Sequence, residues 1–384
     1  MTGRHIIVVG AGIVGLCTAH ALANAGVRAT VIEKGPVPCP SAASTDHHRL
    51  IRHSYPDHPG YARRIGAAFE AWERLFAALP HGRGHYFAER GILTLSQQAG
   101  DYGDRTRSLF EAMGIDHERI EGADALLARF PALGQRNIAM GLVSGGGALM
   151  ANRIMVDLAD LLRARGVAVM EHAPAVALDA EGGRVATADG RSLSGEAIVA
   201  TAGAGLPGLL PDLAGDLVYR RTVILYARPP DHLAEAWEAM PCWTDLGGAD
   251  DLWGMPPIAG LPAKLGCGAM GRADAADSDR VMTRGEMDGM LARYAGAFRD
   301  LDRFEISHGQ ASYWMLAPGA RFALRRAGRL VAASACSGHG FKFGALSGED
   351  IAEAVLAPER HDAVAARMAA DDGTPPMPGR ADRA

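Results

Sequence analysis

Three of the chain's 39 basic residues are lysines, Lys34, Lys264 and Lys342, and every other such position carries arginine. An ammonium is a compact point charge and a guanidinium a flat, delocalised one, so a lysine kept in so arginine-biased a chain marks a place where the compact charge is of use. Lys342 lies in CSGHGFKFGAL, a glycine-rich stretch near the end of the chain, and Lys264 lies in PAKLGCG. At the front, HIIVVGAGIVG sets Gly10, Gly12 and Gly15 at GxGxxG spacing. In that pattern the first glycine permits a tight turn, the second lets the backbone approach a pyrophosphate, and the third lets a helix pack closely on the strand. The segment ATVIEK then brings Glu33 to where an acid accepts hydrogen bonds from a ribose. Asp46 with His47, His48, His53 and His58 offers ligand-type side chains, but their spacing fits no metal motif and Arg49 and Arg52 set cations among them. No metal is expected there.

The elements that must hold these residues follow from hydrophobic pattern. HIIVVG is a short, β-branched, apolar run of the kind found in a parallel strand covered on both faces. The helix after it runs to about Asn24 and stops at Gly26, with its amino end directed at the phosphates. Strand, turn, helix, strand and acid fall within about 35 residues, the context the glycine motif demands, although the motif alone does not separate FAD from NAD. SAASTDHHRLIRHSYPDH is too polar for a core element and reads as an ordered functional loop. Ile65, Phe69, Trp72, Phe76 and Leu79 recur at three- and four-residue spacing, the stripe of an amphipathic helix whose aromatics belong to the core. HYFAERGILTLS and RRTVILYAR alternate like antiparallel strands with one wet face. Between them, a helix capped by Asn152 and ending before Gly166, then VAVME and AIVATAGAG, resume the α/β texture, which returns a third time in RLVAASA and GALSGEDIAEAVL. The tail DDGTPPMPGRADRA reads as loosely ordered.

Composition narrows the function. A chain of 384 residues, 48% hydrophobic, buries a large core and suits two domains. A formal net charge of -5 with no lysine-rich run argues against nucleic acid or anionic lipid as partners. The five cysteines, Cys17, Cys39, Cys242, Cys267 and Cys336, are scattered and form no CxxC pair, which fits a reducing, cytoplasmic setting. The apolar N-terminus resembles a secretory signal, but three spaced glycines and a following strand favour the strand–turn–helix reading. No other segment approaches the roughly 18 apolar residues of a membrane helix, so a soluble protein is expected.

With these residues in order, the chain resembles the monomeric sarcosine oxidase and N-methyltryptophan oxidase family, within the D-amino-acid-oxidase-like FAD enzymes. GAGIVG with Glu33, RLIRHSY, LWGMP, AKLG and SGHGFKF carry the likeness across nearly the whole sequence. The resemblance implies FAD and an α/β plus α+β fold: a discontinuous Rossmann-like FAD domain (1–85, 143–215 and 318–384) under a mostly antiparallel substrate domain (86–142 and 216–317). It implies that Arg52 and Lys342 bind a substrate carboxylate, that Lys264 sits against the flavin and activates oxygen, and that Arg49 lies beside the ring. The cofactor set it implies is Gly10, Gly12, Ile13, Val14, Gly15, Glu33, Lys34, Ser44, Val176, Gly203, Gly338, His339, Gly340, Phe341 and Lys342.

Two departures from the family pattern shape the expectation. Ser312 stands where the family has its flavin-attaching cysteine, so FAD is expected to be held noncovalently. Gly268 replaces an active-site histidine, while Trp253 and Trp314 replace pocket tyrosines, which opens space and adds apolar walls. A secondary, N-alkylated, cyclic or bulky amino acid is therefore the expected substrate, oxidised to an imine with hydrogen peroxide formed from molecular oxygen. The chain is expected to act as a monomer. An FAD-dependent dehydrogenase with another acceptor, a flavin-binding protein without turnover and an NAD-dependent dehydrogenase are the rival readings.

Overall fold

A computed structural model describes residues 3–134, 137–274 and 279–371. The tail read as loosely ordered lies, beyond residue 371, outside the described residues.

Two large sheets dominate, and they are built on different rules. The first has six strands in the order Ala323–Ala327, Leu330–Ser334, Ala197–Ala200, His5–Val9, Arg28–Ile32, Ala168–Met170. Every pairing is parallel except the outermost, Ala323–Ala327 on Leu330–Ser334. Parallel neighbours need crossovers that cover both faces, which is why Ile6, Ile7 and Val8 are all fully buried. Three separated stretches of chain supply this sheet, as the recurring α/β texture predicts. The helices Ile13–Asn24 and Gly344–Leu356 pack so closely that a Cβ on Gly348 would lie 2.5 Å from the Cys17 backbone carbon.

The second sheet has nine strands and is antiparallel except where Cys242–Asp245 runs parallel to Ile92–Ser96. Its long pair, Val218–Arg228 with Glu305–Leu316, stays hydrogen-bonded along its full length apart from one shift near Tyr226. The expected wet face is absent from its centre: Ile92–Ser96 is buried at every residue and Val223 to Ala227 are buried in succession. The sheet is covered on both sides, so alternation of polarity is muted there. HYFAERGILTLS is not one strand either. Phe87–Glu89 joins a small sheet with Arg49–Arg52 and Gly146–Leu149, and only Ile92–Ser96 joins the large one.

Two further expectations change. The polar segment read as a loop contains the strand Arg49–Arg52, and its Asp46, His48 and Ser54 are buried. Asn152 does not cap its helix, which spans Ala151–Ala164 with Met150 at the cap position. Its Oδ1 instead accepts the Asp46 N–H at 3.1 Å, and its own N–H donates to the Asp46 carbonyl at 3.2 Å.

Candidate active site

The glycine turn has the geometry its spacing predicts. Gly10 has φ +102°, its N–H donates to the Ile32 carbonyl at 2.8 Å, and a Cβ on Gly15 would fall 1.9 Å from the Gly10 carbonyl oxygen. Only glycine fits both places. Glu33 is buried and its Oε2 accepts the Ala11 N–H at 2.8 Å, with the Gly35 N–H 3.4 Å from Oε1. Ser44 Oγ accepts the Ile13 N–H at 3.1 Å across the helix amino end, where Ile13 and Val14 open the first turn. Gly203, at φ +54°, follows the strand Ala197–Ala200. Thr201, which sequence reading passed over, donates its hydroxyl toward the Val9 and Gly10 carbonyls at 3.1 and 3.2 Å. Lys34 and Val176 are exposed, Val176 at 59% on a separate three-stranded sheet, and stand outside this buried turn.

Apart from the turn, four cations from three stretches of chain come together. Lys264 sits in the middle of the strand Ala263–Cys267, in register with Tyr226 on one side and Met255 on the other, and is completely buried. Its Nζ donates to Asp46 Oδ2 at 2.5 Å and to the His48 carbonyl at 3.0 Å, and lies 5.6 Å from the Trp253 ring. Asp46 also accepts from the Tyr226 hydroxyl and pairs with Arg49, whose Nη2 donates to the Ala43 carbonyl at 2.5 Å. Burial, then the Arg49 charge, pushes the Lys264 ammonium well below its usual range. The Asp46 carboxylate in contact with it works the other way. Asp46 entered the sequence reading only as a metal ligand; the structure makes it the counter-ion of two cations.

Arg52 and Lys342 meet over one ring. The Arg52 guanidinium carbon lies 4.5 Å from the centre of the Tyr55 ring and Lys342 Nζ lies 5.6 Å from the same centre. Lys342 is 8% exposed; burial, followed by Arg52 and Arg49, drives its pKa well down, and Asp251 opposes the shift. The loop that carries it is braced from the core, because Trp72 Nε1 donates to the Lys342 carbonyl at 2.8 Å and Phe341 stacks on Trp72. Gly340 is forced, since a Cβ there would lie 1.9 Å from the Ala335 oxygen. Gly338, at φ +74°, lies against Trp314, whose Nε1 donates to Thr222 Oγ1 at 2.9 Å. Ser312 faces Thr222 in register. His339 turns away from ligand chemistry: its ring bonds the Ala320 carbonyl at 3.0 Å, stacks on Phe322 and is kept neutral by burial.

The space expected from Gly268 is not open. A Cβ on Gly268 would fall 2.0 Å from Asp251 Oδ2, so a carboxylate takes up the position a side chain there would fill. Its charge is felt by Arg52 and Lys342 alike. The histidines also part company: His53 stacks on Phe69, His58 lies against His339, and His47 and His48 flank Tyr226. His48 is fully buried with neither ring nitrogen hydrogen-bonded, beside Lys264 whose charge lowers its pKa after burial does.

A phosphate-accepting turn, buried cations and an unsatisfied buried imidazole suit an anionic dinucleotide carrying a polar ring system, and the residues present fit FAD. The comparisons agree. Residues 5–354 match the family described as FAD dependent oxidoreductase (DAO). Monomeric sarcosine oxidase of a Bacillus species is 23% identical over 94% of this chain and 95% of its own length, and human peroxisomal sarcosine oxidase is 26% identical over 63% and 62%. Among solved structures, Amadoriase I of Aspergillus fumigatus, a fructosyl amine:oxygen oxidoreductase, superposes with a TM-score of 0.77 at 21% identity, covering 93% of this chain and 87% of that one. NikD, described as an unusual amino acid oxidase, gives 0.77 at 20% identity over 92% and 95%. The chain belongs to the DAO family of FAD-dependent oxidoreductases.

Proposed function

We propose that this oxidoreductase removes two electrons from the C–N bond of a carboxylate-bearing amine, a secondary, N-alkylated, cyclic or bulky amino acid, giving an imine and hydrogen peroxide. One observation carries the reading: Arg52 and Lys342, 290 positions apart in the chain, come within 4.5 and 5.6 Å of the centre of the same Tyr55 ring. A buried ammonium and a half-buried guanidinium at one place call for an anion, and a carboxylate meets both with charge-assisted hydrogen bonds. The names of the relatives, oxidases of sarcosine, of a fructosyl amine and of an amino acid, support an amine as the reacting group. Bound FAD supplies the two-electron acceptor, held noncovalently with Ser312 at the family's attachment position. Trp253 and Trp314 wall the pocket, and the cationic pair favours the neutral, reactive form of the amine over its ammonium. Asp251 lies within the field of those cations. Lys264 stabilises the negative charge that develops when O2 takes electrons.

Asp46 favours a second reading. With its carboxylate 2.5 Å from Lys264, much of that cation's charge is offset, which suits a dehydrogenase that passes electrons to an acceptor other than O2. Anaerobic mixing of the yellow holoenzyme with a panel of amino acids tests both. Bleaching is expected with at least one bulky or N-alkylated amino acid, and admission of O2 should restore colour with one peroxide per turnover. Bleaching that only a dye reverses selects the dehydrogenase, and a flavin that no amine bleaches rules out the reaction proposed. Acid precipitation should leave the flavin in the supernatant.

A further inference from the structure

Away from the active site, His81, His85 and Asp157 present one ligand atom each, all within 4.8 Å of one another, and no other such group of three is formed among the described residues. His81 lies in the turn after the helix Pro59–Ala78, His85 in the short helix Arg83–Tyr86, and Asp157 on the facing helix Ala151–Ala164. Both Nε2 atoms face the same carboxylate oxygen, at 3.8 Å from His81 and 3.9 Å from His85. A simple ion pair would draw one imidazole into hydrogen-bond range. Here neither closes, and the two rings sit side by side with centroids 4.5 Å apart. We propose that these three residues form a site for a divalent transition metal of the Zn2+ type. In a tetrahedral site with bonds of about 2.0–2.1 Å, ligand atoms stand roughly 3.3 Å apart, so each imidazole closes on the carboxylate by about half an ångström. His81 is 55% exposed and His85 38%, which leaves both rings free to make that movement and a fourth position open to water.

The supporting residue is already in place. Buried Tyr86 donates its hydroxyl to the same Asp157 oxygen at 2.8 Å and accepts the His81 backbone N–H at 3.2 Å, fixing two of the three ligands at once, as outer partners of metal sites do. Arg153 is the opposing cation, and its Nη1 is directed to the His85 carbonyl at 3.3 Å. The bound ion would tie the turn that follows the helix Pro59–Ala78, which holds Trp72 against the Lys342 loop, to the helix Ala151–Ala164, which holds Asn152 against Asp46. The sequence weighs a metal only at Asp46 with His47, His48, His53 and His58; Asp157 is 72 residues from His85, and only the fold unites them.

Untagged, chelator-washed holoenzyme titrated with Co2+ is the test. The site predicts a saturable difference spectrum in the 500–650 nm region typical of low-coordinate cobalt, about one ion per chain, displaced by Zn2+ and accompanied by a raised Tm. His81→Gln, His85→Gln and Asp157→Asn should each abolish the signal while flavin absorbance is retained, and Tyr86→Phe should weaken it by about 10- to 100-fold. The proposal is overturned if Co2+ and Zn2+ do not bind stoichiometrically, or if binding survives His85→Gln and Asp157→Asn unchanged.

Discussion

The glycine turn and the cationic chamber of the proposed site are made in opposite ways. The turn is backbone: Gly10, Gly12 and Gly15 matter for the atoms they lack, and one buried acid, Glu33, pins the loop through main-chain N–H groups. The chamber is side chain, with Arg49, Arg52, Lys264 and Lys342 drawn from three elements and held by Asp46, Tyr226 and Tyr55. A backbone site tolerates no added atom. A side-chain site tolerates changes of shape but not of charge balance, because each buried cation depends on its neighbours.

Substitution sizes should separate the two. Gly15→Ala places a Cβ 1.9 Å from the Gly10 oxygen, and a colourless protein without bound flavin is expected, read by absorbance after purification. Arg52→Met and Lys342→Met leave the turn intact; yellow protein with kcat/KM lowered by roughly 30-fold or more is expected, from about 2–5 kcal/mol for truncating one partner of a buried charge pair. If either variant loses flavin as completely as Gly15→Ala, the division between the regions fails.

Asp46→Asn sharpens the comparison within the chamber. It leaves buried Lys264 and half-buried Arg49 without their carboxylate, a cost of about 3–5 kcal/mol in denaturant unfolding. Removing the lysine as well, with Lys264→Met, should return part of that loss, a coupling that independent sites would not give. The smallest effect is that of pH. His48 and His339 are held neutral by burial in the folded state, with pKa values well below 6.5, while the unfolded chain titrates near that value. Below pH 6.5 the unfolded state therefore binds more protons, and stability falls with pH by up to about 1.4 kcal/mol per unit for each histidine. His48→Leu should flatten part of that slope, and an unchanged slope would remove His48 from the account.

The same contrast explains what the sequence disclosed. The turn is local, so Gly10 to Glu33 could be read directly, as could the stripe from Ile65 to Leu79. The long-range convergence of Arg52 and Lys342 became legible only through family resemblance, since no spacing links them. Asp46 and Asp251 were not legible in these roles: a carboxylate in a polar segment looks solvated until the fold buries it against Lys264 or sets it over Gly268. The strand Ile92–Ser96 misled in the other direction, because cover on both faces overrides the alternation a one-faced strand requires. Among the described residues no helix is long and apolar enough to cross a membrane.

The carboxylate clasp is tested most directly by titrating oxidised holoenzyme with simple acids from acetate to phenylacetate and with the matching neutral amides, following the flavin spectrum. The acids should bind and the amides should not, with acid affinity lowered at least about 30-fold by Arg52→Met or Lys342→Met. Equal binding of acid and amide, or affinity indifferent to both substitutions, would contradict the account.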